Sequence, residues 1–487
     1  MRVLFVYSTD DAQSAAYPLR SPEFIHMGIS YISAFLKANG HDTALVVLGS
    51  ELGKTGAKTL MNEVRSFDPG LICFTAVWSQ YRFIETLAES VKREFPSKYL
   101  IIGGPHASLA PEHVVLGPFD AICISEGEWP AASLAEALSA KRTPAGIANL
   151  WIKGPDGSVE KNDTRPFIED LDGLPLPDRT MWERWIKPQT KSRRAVLLGR
   201  GCPYGCTYCS NHALRKLSKG KYVRQRSPDA IVAEIEELSA SHPMDNEFYL
   251  EVETLTSNVD WTIALCNRLT EFNATRRIPF AFNANFRISH RTDHRRLFAA
   301  LKQANFTSVN IGLESGSERV RSRVLKRKYS NDDFMEAVST AREFGLKVVT
   351  FNLIGVPSET YADHLETVRL NQLARPEWVY TSIFTPYPGT ELHRICVENG
   401  YLGDEIDPRQ ERYRAIMDLP GFSRRQIQMA YLLFEYRVFR DTKPLYQRLM
   451  KTVVAGIKTD PRAYLLFRKS MQLPVLREFR ARFGRSS

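Results

Sequence analysis

The stretch LLGRGCPYGCTYCSNH (197–212) constrains this chain more than any other. An apolar run, AVLLG (195–199), passes without a break into a loop holding Cys202, Cys206 and Cys209, three of only seven cysteines in 487 residues. Structural zinc sites take four ligands, usually from paired C-x2-C arms. The other cysteines, Cys73, Cys123, Cys266 and Cys396, are scattered singly and supply no second pair. The odd count and the chain length argue against a disulfide framework. Three thiolates at C-x3-C-x2-C suit a 4Fe–4S cluster with one iron left open to a further ligand.

The pattern on either side of this loop is α/β. Residues 1–145 alternate apolar runs (2–8, 42–48, 70–77, 99–104 and 120–125) with helical periodicity, which predicts a doubly wound, Rossmann-like domain with a parallel sheet. Ligands of such sheets sit beyond the carboxyl ends of the strands. Residues 146–190, with DLDGLPLPDR (170–179), read as a linker. A second alternation over 191–403 places strands near 195–199, 247–252, 279–284, 308–313, 347–354 and 378–384. About six βα units fit a partial TIM-like (β/α)6 barrel, whose chemistry sits on loops after the strands, where the cysteines are. Residues 404–487 read as a basic helical region.

Composition decides the setting. Apolar content of 43 % and charged content of 25 % are those of a soluble protein. MRVLFVYSTDD reads as a first strand and not as a signal peptide, and no apolar stretch reaches the ~18 residues needed to span a bilayer. Unpaired cysteines predict a reducing, cytoplasmic location. The net charge of +10 is localised: residues 424–487 carry fifteen Lys/Arg against four Asp/Glu, so the first 423 residues are close to neutral. That tail predicts a helical lid on the barrel or peripheral contact with an anionic membrane surface. Nucleic acid is disfavoured, because the tail's aromatics fall on helical stripes and not on a stacking platform.

Three features together resemble the cobalamin-dependent radical S-adenosylmethionine (AdoMet) enzymes. They are CPYGCTYC; the segments VNIGLESGSERV (309–320), FNLIGVPSET (351–360) and TPYPGTEL (385–392); and IGGPHASLAPE (102–112) followed by DAICISEGE (120–128). The resemblance spans roughly residues 1–400. It implies that Cys202, Cys206 and Cys209 ligate three irons and that AdoMet chelates the fourth. It implies further that Tyr208 lies near the adenine. Relatives carry two acids where this chain has Val252 and Glu253, so Glu253, with Glu251 second, is the candidate for the AdoMet amine. Glu314, with Ser315 and Ser317 beside it, is the candidate for the ribose hydroxyls, and Asn352 is placed in the same pocket. Asn283, Asn285 and Arg287 alternate along one strand and so share a face, to meet AdoMet or substrate or to stand as satisfied buried polar groups.

In the first domain, Gly103 and Gly104 are expected to admit the nucleotide tail of cobalamin. His106, Ser108, Glu126 and Glu128 are expected on crevice-side loops, and Trp78 near the lower face of cobalt. No D-x-H-x-x-G occurs, and His26, His41, His106 and His113 lack that context. The implied reaction is removal of hydrogen from a small-molecule substrate by a 5′-deoxyadenosyl radical, followed by methylcobalamin-dependent C-methylation. An electron donor such as flavodoxin or ferredoxin would serve it. The alternatives are a non-methylating radical dehydratase, cyclase or dehydrogenase, or radical modification of RNA or a peptide. The absence of a second three-cysteine set disfavours methylthiolation.

Overall fold

The computed structural model describes all residues except 10–11, 51–52, 291, 403–410, 461–462, 465 and 468–487. The chain divides into two compact units, 1–205, 209–253 and 264–282 in the first and 206–208, 254–263 and 283–487 in the second.

Near-continuous apolar runs make the first sheet. β1 (Arg2–Ser8), β2 (Asp42–Leu48), β3 (Leu71–Thr75), β4 (Tyr99–Gly103) and β5 (Ala121–Cys123) are buried over most of their length, as parallel strands covered on both faces must be. They pair in parallel in the order β2-β1-β3-β4-β5. The order reverses between β1 and β3, so the ligand crevice of this sheet lies beyond the carboxyl ends of those two strands.

The segment 146–190, expected as a linker, instead completes this sheet and its core. β6 (Leu150–Lys153) and β7 (Val159–Lys161) extend the edge in antiparallel fashion. Trp182 and Trp185 are buried in the same core, Trp182 Nε1 donating to Ser30 Oγ at 2.8 Å and Trp185 Nε1 to Leu45 O at 3.1 Å. Strands of three and four residues about a tight turn carry too little periodicity to stand out from a Pro- and Gly-rich background.

The second round of strands is β8 (Arg193–Leu197), the short pair β9 (Gly199–Arg200) and β10 (Arg224–Gln225), then β11 (Glu247–Glu251), β12 (Ala281–Phe286), β13 (Phe306–Glu314), β14 (Lys347–Ile354) and β15 (Trp378–Ile383). Six of them form one sheet in the order β15-β14-β13-β12-β11-β8, the (β/α)6 arrangement expected. Its helices begin with side-chain caps at Ser227, Asp293, Ser330 and Thr360, each satisfying an otherwise orphaned backbone N–H.

The boundary expected at 404 and most of the final part of the helical region expected over 404–487 lie outside the described residues. Helix Arg424–Val438 buries Ile427, Ala430, Tyr431, Phe434 and Val438, whereas helix Leu445–Lys458 buries no residue. No described helix is long and apolar enough to cross a membrane.

Candidate cofactor site

β9 and β10 pair through Arg200 and Arg224 and through Gly199 and Gln225, closing the base of the cysteine loop. Cys206 is buried, and Cys202 and Cys209 are half-buried. In the first unit Asn211 Nδ2 lies 3.6 Å from Cys209 Sγ, and the Tyr222 hydroxyl donates to Asn211 Oδ1 at 2.6 Å. Burial, then Glu253, then Cys209 and Cys202 hold the Tyr222 phenol well above its usual range. Glu253 and two of the cysteines thus share one neighbourhood around Tyr222, a residue that sequence reasoning passed over. Among the described residues no three or more His, Cys, Asp or Glu side chains are gathered at metal-binding separation. Metal sites commonly take their final form only with the metal, so the loop's fitness shows in its spacing and surroundings.

Glu251 ends β11, and Glu253 stands exposed two residues later. Burial, then the Glu253 charge, raise the Glu251 carboxyl from 4.5 to about 7, opposed by Arg179. Two carboxyls so placed favour a cation between them. A carboxyl raised on folding lends its stability below its unfolded value and loses it as pH rises through the folded one. Glu251→Gln is therefore expected to change stability little at pH 5 and to gain about 2 kcal/mol at pH 8 after solvent screening, read from urea midpoints at the two pH values.

In the second unit, Arg287 Nη1 donates to Cys206 Sγ at 2.6 Å. Asn283 and Asn285 alternate with buried Phe282, Ala284 and Phe286, and Asn310 Nδ2 lies 3.4 Å from Asn285 Oδ1. Phe351 and Tyr380 continue that face as a stacked pair with centroids 5.1 Å apart. A second residue that sequence reasoning missed is Arg327. It is buried, donates to Tyr208 Oη at 3.2 Å and to Gly312 O, and lies 3.6 Å from Glu314. Burial would lower its guanidinium, but Tyr208, Tyr329, Glu314 and Cys206 outweigh that and hold it well above its usual range.

Glu314 itself is held at φ +65 where the β13–β14 register slips, a left-handed conformation costly for a side-chain-bearing residue and concentrated at functional sites. Its carboxylate occupies the space a Gly312 side chain would need, since a Cβ there would lie 2.6 Å from Glu314 Oε1. Tyr208 and Glu314, far apart in sequence, are thereby brought to one guanidinium.

Two further expectations are corrected. Asn352 faces away from this cluster, accepting from Asn371 Nδ2 at 2.8 Å on helix Tyr361–Ala374. The alternation along β14 puts Phe351 and Leu353 on the open face and turns Asn352 to the helix side. Ser315 is buried and turned into its own loop, its Oγ accepting from Ser317 N at 3.2 Å, while Ser317 donates to Asp363 at 2.6 Å.

In the first unit, Trp78 opens a short 3-10 turn just past β3 and is half-buried, at the end of the sheet where the strand order reverses. The need for Gly104 is met within the protein: at φ +95 a Cβ would lie 2.6 Å from Thr75 Oγ1, while at Gly103 it would make only ordinary contact. His106 is not on an open crevice. It is buried against Tyr81 and His113, its Nε2 3.4 Å from His113 Nδ1, and burial followed by the His113 charge lowers it to about 4. His26 caps a helix through Ile29 N, and His41 Nδ1 lies 3.1 Å from the Met1 amine.

Glu126 accepts from Arg200 Nη1 at 2.9 Å, Arg224 Nη1 at 2.8 Å and Ile168 N at 2.7 Å, and Glu128 accepts from Arg200 Nη2 at 2.6 Å. Glu126, expected as a cofactor contact, is instead saturated by protein donors. Burial would lower the Arg200 guanidinium, but Glu128 and Glu126 outweigh it and hold it high. The EGE segment after β5 is thus gripped by the residue two places before Cys202.

Comparison with known proteins agrees with this geometry. The Radical SAM superfamily model matches residues 196–370 and the B12 binding domain model residues 21–135. An uncharacterised methyltransferase of Pyrococcus horikoshii is 26 % identical over 88 % of this chain and 93 % of its own. An anaerobic magnesium-protoporphyrin IX monomethyl ester cyclase of Rubrivivax gelatinosus is 23 % identical over 84 % of this chain and 71 % of its own. The structure of the radical AdoMet methyltransferase TsrM from Kitasatospora setae, with cobalamin and a 4Fe–4S cluster bound, superposes with a TM-score of 0.64 at 18 % identity, covering 82 % of this chain and 78 % of that one. With both family models matched in this order, and the cysteine loop inside one of them, the chain belongs to the cobalamin-dependent radical S-adenosylmethionine enzymes and works with a 4Fe–4S cluster, AdoMet and cobalamin.

Proposed function

We propose that this enzyme C-methylates a small-molecule substrate. The observation that carries the reading is the double grip of Arg200 on Glu126 and Glu128. It fastens a loop of the cobalamin-type domain to the strand that enters the cysteine loop, as delivery of both a radical and a methyl group to one carbon requires. The kinship with an uncharacterised methyltransferase supports it.

Cys202, Cys206 and Cys209 would hold the cluster, with Arg287 set against the Cys206 sulfur. Glu253, with Glu251 behind it, would accept the ammonium of AdoMet. Glu314 would receive the ribose and Tyr208 would border the adenine, both steadied by Arg327. Trp78 would shield the lower side of the corrin. Asn283, Asn285, Phe351 and Tyr380 would line the substrate side, offering amides and a stacked aromatic pair. When bound, these groups supply a 5′-deoxyadenosyl radical that takes hydrogen from a substrate carbon and a methyl group for that carbon. A one-electron donor of the flavodoxin or ferredoxin class would start each turnover.

The kinship with a cyclase supports a second reading, radical chemistry without methyl transfer. Anaerobic reconstitution with iron, sulfide and hydroxocobalamin separates the two. About four irons and one cobalt retained after desalting support methyl transfer, and iron without cobalt favours the cyclase-like reading. Loss of both overturns the assignment of the family's chemistry to these residues.

Arg327→Lys tests the positioning of Tyr208 and Glu314. A lysine cannot serve a phenol, a carbonyl and a carboxylate in one plane. AdoMet affinity is expected to fall about tenfold, or ~1.4 kcal/mol, by equilibrium dialysis, with iron content unchanged.

A further inference from the structure

Helix Leu445–Lys458 is unusual in burying no residue. Leu445, Tyr446, Leu449, Met450 and Val453 are 49–60 % exposed, and at 100° per residue they fall within one arc of about 140°. The helix is nevertheless anchored: it packs on helix Arg424–Val438, with Arg448 donating to Tyr436 O at 3.3 Å and Lys451 lying 3.9 Å from Glu435. It therefore presents a fixed aliphatic face.

Charge decides what covers that face. Residues 440–458 carry five Lys/Arg against one Asp, and residues 468–487 carry six Lys/Arg against one Glu. A second copy of this helix, or the chain's own last twenty residues, would bring like charge against like charge. An anionic partner gains on both counts. Nucleic acid would use the basic residues but leave aliphatic side chains unsatisfied, since its binding surfaces pair cations with stacking aromatics. An anionic lipid surface satisfies both, taking the apolar face among acyl chains and the flanking cations at the headgroups.

We infer that helix Leu445–Lys458 docks this protein on anionic membrane surfaces through Leu445, Tyr446, Leu449, Met450 and Val453. The contact is peripheral and reversible, and it does not depend on the reaction proposed above.

The test is flotation of the full-length, reconstituted protein with vesicles of phosphatidylcholine alone or mixed with phosphatidylglycerol. Binding is expected to the mixed vesicles and to weaken as salt rises from about 0.1 to 0.5 M. The pair Leu449→Glu and Val453→Glu is expected to reduce it by about tenfold or more. Both positions are solvent-exposed, so circular dichroism and iron content should match those of the unaltered chain. Arg440→Glu, which touches no apolar position, should weaken binding to mixed vesicles alone. No binding above the phosphatidylcholine level overturns the inference, as does binding that the double variant leaves intact. A dimer by light scattering that the double variant dissolves would assign the face to a second copy. RNA binding with the same dependence, without vesicle binding, would assign it to nucleic acid.

Discussion

Cys206→Ala is expected to end AdoMet cleavage, lowering 5′-deoxyadenosine formation by at least about a thousandfold, because two thiolates cannot hold a cluster with one differentiated iron. Cobalamin should remain bound. Cys206 and the two residues after it belong to the second unit, whereas the whole cobalamin-type domain lies in the first. The loop keeps its other anchors: Thr207 Oγ1 donates to Val324 O at 2.6 Å, and the Thr207 backbone carbonyl accepts from Leu392 N at 3.1 Å. Alanine removes one buried sulfur and leaves those bonds in place, so a collapsed fold would not explain the loss. Iron content, cobalt content and 5′-deoxyadenosine under dithionite, measured on one preparation, separate the possibilities. Turnover like that of the unaltered enzyme would remove Cys206 from the cluster.

The loop carrying this prediction was legible because three cysteines at fixed spacing leave few chemical readings. The strands were legible for a similar reason: RVLFVYS and DTALVVL are short apolar runs that only a buried parallel sheet accepts, and they form β1 and β2 residue for residue. What escaped depends on position in space. Nothing in GLESGS announces that the β13 ladder slips, that Glu314 turns to a positive φ, or that its carboxylate lies over Gly312. Nothing in VLKRKYS announces that Arg327 reaches back 119 residues to Tyr208. Asn352 misled because a polar residue on a barrel strand suggests the open side, whereas a buried amide is equally at home between strand and helix once Asn371 satisfies it. His106 misled likewise: a histidine after a Gly-Gly strand end suggests a ligand, but two aromatic neighbours absorb it.

Arg200→Met is expected to destabilise the first unit by about 3–5 kcal/mol, the range for removing one partner of a buried ion pair. Arg200 serves Glu126 and Glu128, but the two lose unequally. Glu126 retains Arg224 at 2.8 Å and Ile168 N at 2.7 Å. Glu128 is 2 % exposed and loses the guanidinium that neutralised it. The orphaned charge is therefore Glu128, and the cost is that of a buried carboxylate without its cation, which exceeds the worth of the hydrogen bonds themselves. This reasoning fixes the rescue. Adding Glu128→Gln to Arg200→Met should recover about 2 kcal/mol, whereas adding Glu126→Gln should recover little. Arg200→Lys should fall between, because an ammonium lacks the fork that spans two carboxylates. Urea midpoints for the five chains decide the matter. Equal rescue by the two glutamines would mean that the carboxylates share the charge evenly, and no destabilisation by Arg200→Met would mean that the grip does not hold the cobalamin-type domain to the cysteine loop. The same series bears on function, since Arg200 stands two residues before Cys202: if the grip sets the approach of the two cofactors, Arg200→Met should retain its iron while losing its hold on cobalamin.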